Sequence, residues 1–343
     1  MKVRGLFAGL VAAALGVVGL SACGGGEGTA KTLRLGYFAN ITHAPAIVGV
    51  DKGYFQNALG EDVKLEVVTF NSGTEAIEAL FAGSIDASFV GPNPAISGYQ
   101  KSEGEALRIV AGTTSGGASL VVRDGINSAS DLAGTTLATP SLGNTQDVAL
   151  RSWLTEQGYK TDTSAGGDVA IRPQDNADTL TTFIDGQIDG AWVPEPWATR
   201  LVLEGNGHVL VDEADLWPGG EFVTTQLIVG KKYLENNPEN VTGLLNGLVD
   251  ALDWITANPE EAKVAVNAGI KAITTKELKQ ETIDAAWKNL SFTYDPIATS
   301  LEASKDHAVE VGLLDEVDLT GIYDLSLLNA ILEERGLEQV QGN

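Results

Sequence analysis

Residues 83–95 read GSIDASFVGPNPA, and 103 positions later, at 186–198, the chain reads GQIDGAWVPEPWA. Gly83 corresponds to Gly186, Ile85 to Ile188, Asp86 to Asp189, Val90 to Val193 and Ala95 to Ala198. Each passage follows a helical stretch, so the repeated unit is a helix, a glycine stop, a strand entered through Ile-Asp, and a proline-bearing turn. Any helix-turn-strand unit shares part of this pattern. The constraint on the fold comes from position: one copy lies in each half of the region before Gly230, as two related lobes require.

Around both copies the chain alternates short apolar strands with amphipathic helical stretches. LRLGYF, VKLEVVTF, IDASFV, LRIVAGT and SLVVR are followed by TLATP, VAIRP, IDGAWV, HVLVDE and TQLIVG. Interleaving of this kind predicts α/β layers. After Gly230 helical periodicity takes over, in VTGLLNGLVDALDWITAN, EEAKVAVNAGIKAI, KELKQETIDAAWKNL and SLLNAILEERGLE, so the C-terminal third is expected to be mostly helical. Asn237-Pro238 and Asn258-Pro259 each offer an Asn cap with Pro at the first helical position.

The N-terminus is different material. Lys2 and Arg4 precede an uncharged run from residue 5 to 22, then Cys23. The run is shorter than the roughly 20 residues of a spanning helix and reads as a secretory signal over residues 1–22. LSAC at 20–23 resembles the bacterial lipobox, which makes Cys23, the only cysteine, a lipidation site and residues 23–32 a flexible tether. Two or more acyl chains anchor stably where one is marginal. Without Lys2 and Arg4, 20 basic residues stand against 46 acidic ones, a charge of −26, so nucleic acid and anionic lipid surfaces are poor partners. One cysteine permits no intrachain disulfide, so stability rests on packing.

In open α/β sheets ligands bind beyond the carboxyl ends of the strands, where loops enter helices. Those positions carry Asn40, Thr42 and His43 after the first strand, Asn93 as the cap of a helix opening at Pro94, Thr113, Thr114 and Ser115, then Ser141, Asn144 and Thr145, and finally Glu195 and Trp197. Small hydroxyl and amide groups at helix N-termini can hold an oxyanion without any basic residue. Each one alone is ordinary capping or turn chemistry; the signal is their convergence. His43 is equally consistent with a hydrogen-bonded structural role. Glu195 beside an anion is repulsive unless it meets a cationic group on the ligand or pairs with a protein base such as Arg200, and pairing is the simpler reading. Trp197 is placed to stack on the ligand. No GxSxG, Walker loop or HExxH occurs, and three His with one Cys are too few for a transition-metal cluster, so neither cofactor, metal nor catalysis is expected.

LRLGYFANITHAPAIVGVDKGYF, GSIDASFVGPNPAI, GINSASDLAGTTLATPSLGNTQDVALRSWL and GQIDGAWVPEPWA, in this order, resemble the solute-binding proteins of aliphatic sulfonate, nitrate and taurine ABC importers. NITHAP, GPNPAI and LGNTQDVALR look most like the sulfonate branch. The resemblance implies a periplasmic-binding-protein type 2 fold: two α/β lobes joined by two crossover strands, a ligand cleft between them, and a helical C-terminal part. It places one lobe at 31–121 plus 226–343 and the other at 122–225. It also implies ligand contacts at Thr42, His43, Pro92, Asn93, Thr113, Thr114, Gly143, Asn144, Thr145, Glu195 and Trp197. The partners implied are a small organic anion, an ABC permease and its ATPase, for a monomer that meets the membrane only through its lipid. Taurine, nitrate or a pyrimidine or aromatic solute are the alternatives within the family; an enzyme or a sensor on this fold are the alternatives outside it.

Overall fold

The computed structural model describes residues 31–342; the signal segment, Cys23 and the tether up to residue 30 lie outside the described residues. Strands β1 (Thr32–Phe38), β2 (Lys64–Phe70), β3 (Ala87–Val90) and β4 (Leu107–Gly116) open a first sheet. A second sheet follows from β5 (Ala118–Val122), β6 (Thr136–Thr139), β7 (Ala170–Pro173), β8 (Gly190–Pro194) and β9 (His208–Asp212). The chain then returns to the first sheet with β10 (Val223–Gly230) and β11 (Leu290–Phe292). The spatial orders are β11-β4-β10-β3-β1-β2 and β7-β6-β8-β5-β9.

Read from their parallel edges, the two sheets repeat one design. Strand orders 2-1-3 and 7-6-8 are parallel, and each is continued by an antiparallel strand arriving from the other half of the chain, β10 or β5. The repeated passages are β3 and β8 with their flanks. Their aspartates do the same work: Asp86 Oδ2 accepts the Arg34 backbone N–H at 2.8 Å, and Asp189 Oδ2 accepts that of Thr136 at 2.8 Å, each tying its passage to the central strand of the parallel trio. Gly83 and Gly186 sit at φ +66° and +73°, the left-handed turn that ends each preceding helix.

Helices α1 (Ala44–Asp51), α2 (Tyr54–Leu59), α3 (Gly73–Phe81) and α4 (Pro92–Lys101) belong to the first lobe; α5 (Thr145–Glu156), α6 (Asn176–Ile184) and α7 (Trp197–Leu203) belong to the second. The C-terminal run adds α8 (Lys231–Asn236), α9 (Pro238–Ala257), α10 (Pro259–Thr274), α11 (Gln280–Ala286), α12 (Ala298–Glu310) and α13 (Ser326–Glu334). Each sheet is covered on both faces, which explains why its strands read as nearly continuous apolar runs. One core packs Leu33, Leu35, Phe89 and Leu227 against α1, α2, α9 and α10; the opposite face packs Val90, Ile109 and Ile228 against α3, α4 and α12. In the second lobe Leu120, Trp153 and Trp192 form one layer, and Val121, Phe183 and Leu201 the other.

The first crossing between sheets occurs at Gly116 and Gly117, both with positive φ (+78° and +76°), a pair of conformations that side-chain-bearing residues resist. Residues 118–121, expected in the first lobe, therefore pair in the second sheet, while 223–225, expected in the second lobe, already belong to β10. The Asn258 cap also differs from expectation: its side chain makes no bond to the helix it precedes, and Nδ2 donates back to Trp254 O at 3.0 Å, closing the end of α9. Among the described residues no helix is long and apolar enough to cross a membrane.

Candidate anion site between the lobes

The carboxyl ends of both sheets face one small cavity of about 30 Å³. A water needs about 10–15 Å³ measured in this way, so the space accommodates a small polar head and little else. The first lobe contributes Asn40, Thr42 and His43 after β1, Ser72 and Gly73 after β2, and Gly91 after β3; the second contributes Asn144, Thr145 and Gln146 after β6 and Asn176 after β7. Thr224 and Thr225 of β10 line it between them.

Five helices begin at this cavity, α1 among them directly after its cap residue His43. In α3 the Ser72 Oγ caps by accepting Glu75 N–H at 3.4 Å, and in α5 the Asn144 Oδ1 accepts Asp147 N–H at 3.1 Å. The starts of α4, after Gly91, and of α6, at Asn176, complete the set, three helices from the first lobe and two from the second. Their partial positive ends converge where no Lys or Arg lines the wall. Two polar atoms there, Thr145 Oγ1 and Asn176 Oδ1, are buried without a protein partner. An unsatisfied buried group costs about 1–3 kcal/mol, which a bound ligand can offset.

His43 is the titratable group of the wall. Burial pushes its pKa down to about 3. Its Nδ1 accepts the Phe38 N–H at 3.4 Å, so the ring proton resides on Nε2: a neutral donor, packed on the Phe38 ring at 4.3 Å. The α5 start is held from beneath. Buried Asp147 accepts from Thr139 Oγ1 at 2.8 Å, Gly143 N–H at 2.9 Å and Arg151 Nε at 3.0 Å, so the turn carrying Asn144 and Thr145 is fixed before any ligand arrives. The approach of the lobes is equally specific: a Cβ on Gly91 would overlap Thr145 Oγ1.

Of the expected contacts, Thr42, His43, Asn144 and Thr145 come together at the cavity. The others do not. Pro92 opens α4 without reaching the wall, and the helix cap is Gly91, not Asn93. Asn93 Nδ2 donates to Ser304 O at 3.0 Å on α12 and, with Gly143, lines a separate outer groove. Thr113 and Thr114 are sealed behind the wall: their hydroxyls donate to Thr225 O at 2.8 Å and Thr42 O at 2.7 Å, bracing residues that do line it. Glu195 is 1% exposed and accepts from Asn289 Nδ2 at 2.7 Å, Thr199 Oγ1 at 2.9 Å and Thr199 N–H at 3.1 Å, with burial raising its pKa. The expected partner, Arg200, instead pairs with Glu204 at 2.7 Å. Trp197 stands outside the cavity, in a chamber of about 610 Å³ that adjoins it through Phe38, Asn40, Asn71 and Asn176.

The sequence reading missed Ser72, Gln146, Asn176, Thr224 and Thr225. For Ser72 a signal was present, since Ser72-Gly-Thr-Glu75 is a capping-box spacing directly after a strand. Thr224 and Thr225 lie within β10, where local sequence carries no sign of which residues meet the cleft.

The model of the NMT1-like family matches residues 26–270. A Bacillus subtilis protein provisionally named an aliphatic sulfonates-binding protein is 23% identical over 92% of both chains. The bicarbonate-binding protein CmpA of Synechococcus elongatus is 24% identical over 71% of this chain and 58% of its own. Among solved structures, the alkanesulfonate-binding protein SsuA of Xanthomonas axonopodis pv. citri bound to MOPS superposes with a TM-score of 0.68 at 18% identity, over 84% of this chain and 96% of that one. The nitrate-binding protein NrtA of Synechocystis PCC 6803 gives 0.71 at 15%, over 89% of each. These similarities bear out the periplasmic-binding-protein fold and the family resemblance, and extend the latter to bicarbonate binders. With the match spanning both sheets, the chain belongs to the NMT1-like family and is a solute-binding protein related to those of sulfonate, nitrate and bicarbonate importers.

Proposed function

We propose that this protein is the extracytoplasmic, lipid-anchored receptor of an ABC importer, and that it captures a monoanionic oxyanion on an organic body, an aliphatic sulfonate, for delivery to the permease. The observation that carries this reading is the convergence of five helix N-termini and neutral donors on a cavity whose wall holds no Lys or Arg. Such a wall suits an oxyanion, and a single delocalised charge best, since dipoles and hydroxyl donors supply partial counter-charges.

The mechanism is hinge closure. Thr145 and Asn176 come from one lobe and Ser72 and His43 from the other, so a head group touching all four is bound tightly only when the lobes are together. Ligand then shifts the population toward the closed form to the extent of that difference in affinity. The ligand is released unchanged, and the protein acts as a monomer tethered through Cys23 and residues 23–32.

The cavity volume favours a second reading as well. A planar inorganic monoanion, nitrate or bicarbonate, would fit about 30 Å³ without any organic body. A thermal-shift panel of sulfonates, taurine, nitrate, bicarbonate, sulfate and pyrimidines separates the two, since saturation at about 100 times Kd stabilises by roughly 2.7 kcal/mol. Stabilisation by alkanesulfonates and silence with sulfate supports the proposal; stabilisation by nitrate or bicarbonate alone replaces it. Recovery of a ligand with altered mass would end the binding-only reading. Cys23→Ser should move the protein from the membrane to the soluble fraction.

A further inference from the structure

Strand β10 enters the first sheet out of step with its neighbours. Against β4 it slips between Val223 and Thr225 and again between Thr225 and Gln226, and it pairs with β3 only from Gln226 onward. Successive side chains of a regular strand point to opposite faces, and a bulge breaks that alternation. Thr224 and Thr225 are adjacent in sequence, yet both line the anion cavity, an arrangement that the irregular course permits.

A segment that leaves the ladder needs other partners for its backbone groups. Side-chain hydroxyls supply them here. Ser115 Oγ accepts the Phe222 N–H at 3.3 Å, Ser300 Oγ accepts the Val223 N–H at 2.9 Å, and Thr113 Oγ1 donates to Thr225 O at 2.8 Å. Thr224 Oγ1 donates to Gly116 O at 2.5 Å, so the returning crossover is bonded to the outgoing one. Thr113 and Ser115 belong to the neighbouring β4, whereas Ser300 comes from α12, 77 positions away from Val223. The Ser300 hydroxyl is itself aimed: its N–H and Oγ both donate to Ile297 O at 2.8 Å, and Ile297 stands at φ +47°, a left-handed conformation that a β-branched residue resists. With the Ser300 proton engaged by Ile297, the oxygen's lone pairs are left for Val223.

We propose that Ser300 and Thr113 are positioning residues for anion capture: neither lines the cavity, and together they hold β10 in the bulged course that turns both Thr224 and Thr225 to its wall. The inference rests on the anion-binding reading above and holds whichever anion fills the cavity. Without these hydroxyl bonds a regular ladder becomes the better course for β10, and a shift of register by one residue sends a side chain to the opposite face. Binding must then restore the bulge, so affinity falls although no ligand contact has been removed.

The test is a calorimetric titration of the full chain with ethanesulfonate, nitrate and bicarbonate, beside a thermal melt. Ser300→Ala should weaken the anion that binds by about twofold to tenfold, the fold-change of one lost hydrogen bond. Thr113→Val, which keeps the shape and deletes the donor, should do the same; Thr113→Ser, which keeps the donor, should bind within about twofold of the unmodified protein. Ile228→Val, buried further along β10, is the control: it costs stability of the same order as a hydrogen bond and should leave affinity unchanged. Should Ser300→Ala fail to fold, the Thr113 pair decides. Unchanged affinity in Ser300→Ala and Thr113→Val overturns the inference while anion capture stands, and so does an equal loss in Ile228→Val, which would make the effect one of general loosening. Silence of the unmodified protein toward all three anions overturns anion capture, and the inference with it.

Discussion

Trp197 Nε1 donates to Asn40 Oδ1 at 2.8 Å, and the bond joins the two lobes beside the anion cavity. Trp197 opens α7 in the second lobe; Asn40 follows β1 in the first. The Arg200 guanidinium lies 4.7 Å over the indole, so the ring is fixed from behind as well. The contact exists only when the lobes meet, which makes it part of the free energy of closure and not of either lobe's folding.

Trp197→Phe retains an aromatic surface and deletes the donor. A hydrogen bond of this kind is worth about 0.5–1.5 kcal/mol net, so ligand affinity should fall between about twofold and tenfold, while the melting temperature of the ligand-free protein changes little. Calorimetric titration beside a melt checks the split; an unchanged Kd removes the bond from the closure equilibrium.

Thr145→Val tests the cavity itself. The hydroxyl is buried without a protein partner, so its loss should leave the free protein as stable or more stable. Bound to an anion the same hydroxyl makes a charge-assisted bond, and affinity should drop by about tenfold or more. A variant that loses stability and keeps its affinity would show that Thr145 serves packing alone.

Gly91→Ala addresses how closely the lobes approach. The added methyl would occupy the place of Thr145 Oγ1, so closure should be hindered and affinity lost, whereas each lobe folds as before. Combining it with Thr145→Gly, which vacates the space, should give a loss smaller than the sum of the single losses. Strict additivity of the two would mean that they do not meet on closure.

What could be read from the sequence follows from where local chemistry decides structure. All ten strands expected before Gly230 form, because strands buried on both faces carry continuous apolar runs. The short β11 escaped notice because Leu290–Phe292 follows a helical pattern without a break. The loop at 276–279 was hidden for a related reason: its Lys-Glu-Leu-Lys composition favours a helix, and only the distant Asn267 bond holds it out of one. In the site, residues defined by helix starts were legible, as Asn144 and Thr145 show. Orientation was not: Thr113 and Thr114 have suitable hydroxyls, but both are used by neighbouring carbonyls, and Glu195 finds its partner Asn289 94 positions away.

Two buried groups should give stability opposite dependences on pH. His43 has a pKa of about 3 in the fold against about 6.5 when unfolded. Its folded value is depressed, so the unfolded chain takes up the extra proton, and stability is lost as pH falls from about 6.5 toward 3. Glu213 lies buried in the second lobe, with Trp192 Nε1 donating to its Oε2 at 2.7 Å, and burial raises its pKa from 4.5 to about 7. Its contribution is complete below pH 4.5 and is lost as pH rises to about 7. Between about 4.5 and 6.5 the two slopes, each of the order of 1.4 kcal/mol per pH unit, oppose one another, and buried Glu195, whose pKa is also raised, adds to the second, so the melting temperature should not fall on acidification through that interval. Glu213→Gln should remove one of the slopes that oppose the histidine, so that on acidification through that interval the variant loses stability relative to the unmodified protein. Ligand affinity should meanwhile stay constant from about pH 5 to 8, since His43 remains a neutral Nε2 donor across it. A steep slope in the unmodified protein, left unchanged by Glu213→Gln, would remove these two groups as its cause.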